Sequence, residues 1–273
     1  MDRLQVTVLG CGSSGGVPRL GDGPGGDWGS CDPLNPKNAR RRCSLLVSRT
    51  GPQGTTRVLI DTSPDLRLQL LEAGVGALDA VIYTHAHADH VHGIDDLRMV
   101  VFNMRQRLPV WADAETCDAL LARFGYAFVQ PRGSSYPPIC DLNQIGGDTV
   151  IDGAGGPLTF APIRVDHGDS HALGFRIGPV AYLPDVSAIP EAAWPLLQGL
   201  DCWIVDCLRR TPHPSHTHLA RTLDWIARAA PRAAVLTNMH IDLDYATLNA
   251  ETPAQVVPAH DGLTLSFAIS SVP

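Results

Sequence analysis

The eleven residues "YTHAHADHVHG" (83–93) decide how this chain is to be read: within eight consecutive positions, 85 to 92, stand four histidines and Asp89, directly after the apolar run Ala80-Val81-Ile82-Tyr83. In an extended segment residues i and i+2 point to the same side, so His85 and His87 can grip one ion together. Asp89 and His90 lie past the bend and can serve a second ion. A histidine cluster on a solvated loop would stand without partners elsewhere, and this one has them. His167 follows the strand-like "FAPIRVD" (160–166), Asp185 ends "VAYLPD" (180–185) and His240 ends "AAVLTNMH" (233–240). Each is also readable alone as a polar residue closing a strand. Together they supply imidazole and carboxylate donors without thiolate, a set that suits two divalent transition-metal ions, Zn²⁺ or Mn²⁺, with Fe²⁺ also compatible. Two ions sharing a carboxylate would acidify a water and clamp a phosphoryl group.

At 273 residues the chain is of a size for one large domain, and residues 1–273 are read as one. The 44 % hydrophobic and 18 % charged composition is that of a globular protein with a sizeable core. The formal net charge is −7, and Lys37 is the only lysine, which disfavours nucleic acid as a partner. Seven cysteines with no CxxC pair, and an N-terminus "MDRLQVTVLG" that goes straight into a strand pattern, predict a reduced, cytoplasmic protein. No apolar stretch approaches the ~20 residues of a membrane span. A homodimer is compatible with all of this.

Strand-like runs occur at 4–9, 44–47, 57–60, 158–160, 180–183 and 203–205, separated by helical patterns, which predicts an α/β or layered α+β fold. One helix is expected to start at Ser63-Pro64, to place Leu66, Leu70 and Leu71 on one face and to stop at Gly74. Another is expected from near Ser215, aligning Leu219, Leu223 and Ile226 and ending before Pro231. The glycine- and proline-rich stretch 10–42 has no periodicity; it is either a flexible surface loop or a lid or binding wall.

"THAHADH" with the later candidate ligands resembles the metallo-β-lactamase superfamily, and the resemblance implies a four-layer αββα sandwich. "LGCGSSGGVPRLG" (9–21), "RRRCSLLV" (40–47), "VLIDTSPDLR" (58–67) and "HVHGIDDLR" (90–98) are similar to the branch of phosphoribosyl cyclic phosphate phosphodiesterases, related to ribonuclease Z and the pyrroloquinoline-quinone B proteins. The resemblance implies that His85, His87 and His167 hold one metal, Asp89, His90 and His240 the other, and that Asp185 bridges. It also implies that Asp61 orients the site, unless it merely caps the turn before Pro64. Within "HPSHTHLAR" (213–221) the implied general acid is His216, with the metal-holding carboxylates Asp89 and Asp185 completing the catalytic set; His213 and His218 are read as loop histidines, one of them capping the helix.

Two departures stand out. Cys31 is the only cysteine between Cys11 and Cys43, where the branch has a cluster that helps bind a structural zinc, so that third ion is not expected. The position where the family has its last metal ligand carries Asn238, so His240, two residues further on, is the expected donor. The function expected from the resemblance is hydrolysis of a small phosphodiester, cyclic, phosphoribosyl or nucleotide-like, by a metal-activated hydroxide. Arg40, Arg41 and Arg42 either face that phosphate or form a solvated face. Alternatives are tRNA 3′-end processing, hydrolysis of a thioester or lactam on the same metals, and a non-catalytic nucleotide- or metal-binding protein.

Overall fold

A computed structural model describes residues 2–269. In chain order the elements are β1 Arg3–Gly10, β2 Ser44–Gly51, β3 Gly54–Ile60, α1 Leu66–Ala73, β4 Ala80–Ile82, α2 Ala88–Val91, α3 Leu97–Met104, β5 Leu108–Ala112, α4 Ala114–Phe128, β6 Cys140–Gln144 and β7 Thr149–Ile151. They continue as β8 Leu158–His167, β9 Ser170–Ile177, β10 Val180–Leu183, β11 Cys202–Asp206, α5 Leu219–Ala229, β12 Ala233–Thr237, α6 Tyr245–Glu251, β13 Val256–Pro258 and β14 Thr264–Ala268.

The strands form two mixed seven-stranded sheets, β14-β1-β2-β3-β4-β5-β6 and β13-β12-β11-β10-β9-β8-β7. In the first, β3 to β6 run parallel, with Ile60 opposite Ile82; in the second, β10 to β13 run parallel, with Leu183 opposite Val205 and Asp206 opposite Thr237. By its internal contacts the chain divides into two compact units: residues up to Leu9, Ser44–Thr159 and the segment from Thr264, and Gly10–Cys43 with Phe160–Leu263. Among the described residues no helix is long and apolar enough to cross a membrane.

All six predicted strand runs are strands. In the first unit, α1 buries Leu66 and Leu70 in a core with Val81, Val100, Leu108, Val110 and Leu120, each side chain stabilising the fold by about 1.5–3 kcal/mol. Gly74 ends α1 in the left-handed conformation, as predicted. The start differs. Ser63 Oγ donates to Gln69 Oε1 and accepts from Asp65 N, so Ser63 is committed to a turn and the helix begins at Leu66. Leu71 is exposed, not on the buried face.

In the second unit, α5 begins at Leu219, four residues after Ser215, because 210–218 is an irregular loop around the histidines. Its buried face is Thr222, Trp225, Ile226 and Ala229, spaced i, i+3, i+4, i+7; Leu219 and Leu223 are half-buried. Stretch 10–42 is not a free loop. Val17 and Arg40 pair in both directions, Ser13 N donates to Met239 O, and Val17, Cys31 and Ile241 form a small apolar cluster. Gly26 is required where it is: at φ +73 it lies so close that a Cβ would sit 2.6 Å from Arg19 O.

Candidate metal centre

In the first unit the histidine segment hangs from the carboxyl ends of parallel strands, where ligands bind in open α/β sheets. Asp61 follows β3, and β4 leads to Thr84-His85. Asp61 is fully buried at φ 65, a costly conformation for a non-glycine residue and one that clusters at functional sites. It is fixed by what it holds. Thr84 N donates to Asp61 Oδ1 at 2.8 Å and Thr84 Oγ1 to Oδ2 at 2.8 Å. His90 Nδ1 lies 2.7 Å from Oδ2.

A carboxylate can only accept, so the Thr84 hydroxyl proton goes to Asp61 and its lone pair takes the proton of His85 Nδ1, 3.0 Å away. His85 and His90 are thereby both set with Nδ1 protonated and Nε2 presenting a lone pair, the tautomer a metal-binding imidazole needs. Burial pushes the Asp61 carboxyl above its ordinary range, and the His90 imidazole opposes that shift. The ring centroids of His85 and His87 are 4.5 Å apart, those of His85 and His90 4.3 Å, and Asp89 Oδ2 is 3.5 Å from His90 Nε2. Arg123 of α4 donates to Ala86 O and anchors the segment from outside. Gly93 packs directly on Ser63 O, an approach that leaves no space for a Cβ.

In the second unit the same strand ends carry the donors: His167 closes β8, Asp185 follows β10, Asp206 closes β11 and Asn238 follows β12. His167 Nδ1 donates to Ser215 O at 2.7 Å, and its Nε2 is 3.7 Å from Asp185 Oδ2. His216 Nδ1 is 3.0 Å from Asp206 Oδ2 and its Nε2 3.8 Å from the same Asp185 Oδ2. Asp206 is fully buried and also accepts from Val186 N; burial pushes its carboxyl up to about 7, against the pull of His216. Desolvation lowers the pKa of His213, whose Nδ1 accepts from Ser215 N; its ring lies 5.2 Å from that of His216. His218 is the N-cap residue of α5 but makes no side-chain capping bond.

His240 faces elsewhere. Its Nε2 is 2.9 Å from Arg19 Nη1 and its Nδ1 3.4 Å from Asp242 Oδ1. Asn238, in the left-handed conformation at φ 58, donates from Nδ2 to Pro184 O at 3.0 Å and stands 3.3 Å from His216 Nδ1. Of the three consecutive arginines, Arg40 is neither a solvated residue nor a phosphate ligand: it is 2 % exposed, and its Nη atoms donate to His240 O, Leu243 O and Asn38 Oδ1. Arg41 and Arg42 are half-buried. Cys31 Sγ lies 3.8 Å from Arg40 Nη1 and donates to Ile241 O.

Thr84, Asp206 and Arg19 escape a sequence reading. Asp206 had a signal, since "CWIVD" (202–206) ends a buried strand in a carboxylate just as "VAYLPD" does. His85 and His87 in the first unit, and His167 and Asp185 in the second, each offer a ligand atom suited to a metal ion. The donor set, imidazole and carboxylate with fixed tautomers, fits a divalent transition metal.

A model of the beta-lactamase superfamily domain matches residues 56–241. The chain belongs to the metallo-β-lactamase superfamily. The superfamily's fold is confirmed by a solved diphosphatase of the PhnP family, which is 35 % identical, covers 98 % of both chains and superposes with a TM-score of 0.85. An octanoyltransferase of Porphyromonas gingivalis is 33 % identical over 265 residues, which are 95 % of this chain and 51 % of that protein. A ribonuclease Z of Bradyrhizobium diazoefficiens is 30 % identical over 146 residues, 51 % of this chain and 45 % of its own. The chain thus spans about half the length of the curated relatives it matches. It has the metallo-β-lactamase fold and carries His and Asp side chains suited to a metal ion.

Proposed function

We propose that this metallo-β-lactamase-fold protein hydrolyses a small phosphodiester or diphosphate ester on two divalent metal ions. The observation that carries the reading is the 35 % identity over nearly all of both chains with a diphosphatase of the PhnP family. The donor chemistry agrees with it. His85, His87 and His167 are assigned to one ion, Asp89 and His90 to the other, and Asp185 to both. When bound, the ions supply Lewis acidity to the phosphoryl oxygens and lower the pKa of water.

The chain's own residues do the positioning. Asp61 holds Thr84 and His90, Thr84 holds His85, and Ser215 O holds His167. Each imidazole is thereby oriented before any ion or substrate arrives, which lowers the cost of assembling the site. A net charge of −7 and a single lysine favour a small substrate over an RNA body. The seven cysteines are all buried thiols, which supports a reducing compartment.

The match to an octanoyltransferase favours an acyl thioester as the second substrate class. The deciding experiment loads the purified protein with Zn²⁺ or Mn²⁺. Hydrolysis is then compared on bis-nitrophenyl phosphate, a ribose cyclic phosphate, a nucleoside diphosphate ester, an octanoyl thioester and a precursor tRNA. Turnover of the phosphate esters above the thioester and the tRNA is expected. Exclusive turnover of the thioester or the tRNA would replace the reading.

A further inference from the structure

Within the second unit, two imidazoles face one carboxylate oxygen. His167 Nε2 and His216 Nε2 stand 3.7 and 3.8 Å from Asp185 Oδ2, and their rings meet edge to face with centroids 4.7 Å apart. Donors that share one ion, each bound at about 2.0–2.2 Å, lie roughly 3–3.6 Å from one another. Both pairs are within a few tenths of an ångström of that spacing. A protonated His216 Nε2 donating to Asp185 would instead draw the two atoms to about 2.7–2.9 Å, and 3.8 Å is too long for a hydrogen bond.

The rest of the ring is arranged the same way in both residues. His167 gives its Nδ1 proton to Ser215 O, and His216 gives its own to Asp206, leaving the lone pair on Nε2 in each case. A carboxylate behind an imidazole is the usual support of a metal-bound histidine.

The other imidazole available for this role is spoken for. An arginine is permanently charged and only donates, so Arg19 Nη1 occupies the Nε2 lone pair of His240 and places a cation beside it. Asn238 is short enough to leave its neighbourhood to the His216 ring, whose Nδ1 lies 3.3 Å from Asn238 Nδ2.

We propose that His216, held by Asp206, is a metal ligand next to Asp185 in the second unit, in place of His240. Asp206 is its positioning residue. The proposal rests on the two-metal reading of the function, and the test separates the two.

Metal content and stepwise affinity are measured by elemental analysis and competition titration on the wild-type protein and on His216→Ala, His216→Gln, Asp206→Asn and His240→Ala, with circular dichroism as the control for folding. The wild-type protein and His240→Ala bind two ions. Both His216 variants lose one ion, or bind it at least 10-fold more weakly, and Asp206→Asn weakens that ion by about 10–100-fold. Two ions at wild-type affinity in His216→Ala, or loss of an ion in His240→Ala, overturns the assignment.

Should the His216 variants fail to fold, ¹¹³Cd-loaded wild-type protein decides by ¹¹³Cd–¹⁵N coupling. Coupling at the His216 ring supports the proposal; coupling at His240 and none at His216 overturns it. A wild-type protein that binds no divalent ion would instead remove the two-metal reading, a result distinct from two ions retained without His216.

Discussion

Asp61 Oδ2 receives two groups at once, the hydroxyl of Thr84 at 2.8 Å and His90 Nδ1 at 2.7 Å, and through Thr84 it also sets the tautomer of His85. One buried carboxylate therefore orients two imidazoles of the first unit. It does so from a left-handed backbone conformation, φ 65, that costs of order 1 kcal/mol or more. That cost is tolerated where the geometry is used.

Removing the carboxylate charge while keeping the shape should therefore act on metal affinity. Asp61→Asn loses the strong acceptor for His90 Nδ1–H and Thr84 Oγ–H, and metal affinity is expected to fall about 10–100-fold. Competition titration with a chromogenic chelator measures it. Unchanged affinity would reduce Asp61 to a turn residue before Pro64.

Arg40 predicts a stability effect that the activity need not follow directly. Its guanidinium is buried and donates to two main-chain carbonyls, His240 O and Leu243 O, and to Asn38 Oδ1. Arg40→Met removes the charge and the donor to Leu243 O, while His240 O keeps Leu243 N and Asn38 Oδ1 keeps Tyr245 N, at a cost on the order of 1–3 kcal/mol. Urea unfolding followed by fluorescence would show it as a lower midpoint. A midpoint within error of wild type would mean that the 240–244 turn is held without the arginine.

Asp261 predicts a pH dependence of stability with the sign opposite to that of most carboxylates. Burial pushes its carboxyl up to about 6, against the pull of the Arg41 backbone N–H and of Cys11, whereas in the unfolded chain an aspartate titrates near about 3.9. Between those values the native state holds a proton that the unfolded state has lost. Stability contributed by this residue therefore falls as pH rises from about 4 to 6 and is flat above that, by an amount on the order of 2–3 kcal/mol. Asp261→Asn should flatten that part of the profile in urea melts at a series of pH values; an unchanged slope would assign it to other groups.

The parts of this fold that were legible in the sequence are those written in short-range chemistry. The buried runs of β1, β3, β10 and β11, the Gly74 stop of α1 and the histidine pair at i and i+2 all follow from periodicity and local geometry. α3 has no side-chain cap at its start, whereas α4 has one in Asp113, which accepts from Thr116 N; the loop 10–42 reads as flexible because what orders it is remote in sequence: Met239, Ile241 and Leu243. The same distance hides the role of Arg40, which a sequence shows only as one of three adjacent charges. The sequence likewise hides that His240 faces Arg19 and His216 faces Asp206, contacts between residues far apart or unmarked in the chain.

Gly93 offers a test of the corner that carries His90. It follows α2 closely and packs against Ser63 O so tightly that a Cβ cannot be placed without moving one of the two backbones. Gly93→Ala is expected to destabilise the fold by more than about 2 kcal/mol and to weaken metal binding together with it, since Thr62 N donates to His90 O in the same corner. Thermal melts of the metal-free and metal-loaded variant would separate the two effects. A variant as stable as wild type would show that the corner has slack.

Metal binding should also appear as stability, independent of any substrate. Preformed imidazole and carboxylate donors bind the ion in the native state only, so metal at 100 times its dissociation constant adds about 2.7 kcal/mol per site. For a chain of this size that corresponds to a rise in melting temperature of roughly 5–10 °C. Chelation followed by readdition of Zn²⁺ or Mn²⁺ should lower and then restore the melting temperature, in step with hydrolytic activity. Asp185→Asn, which weakens the carboxylate assigned to both ions, should reduce the metal-induced rise more than His87→Ala, which removes a donor from one. An equal loss in the two variants would mean that Asp185 serves a single ion.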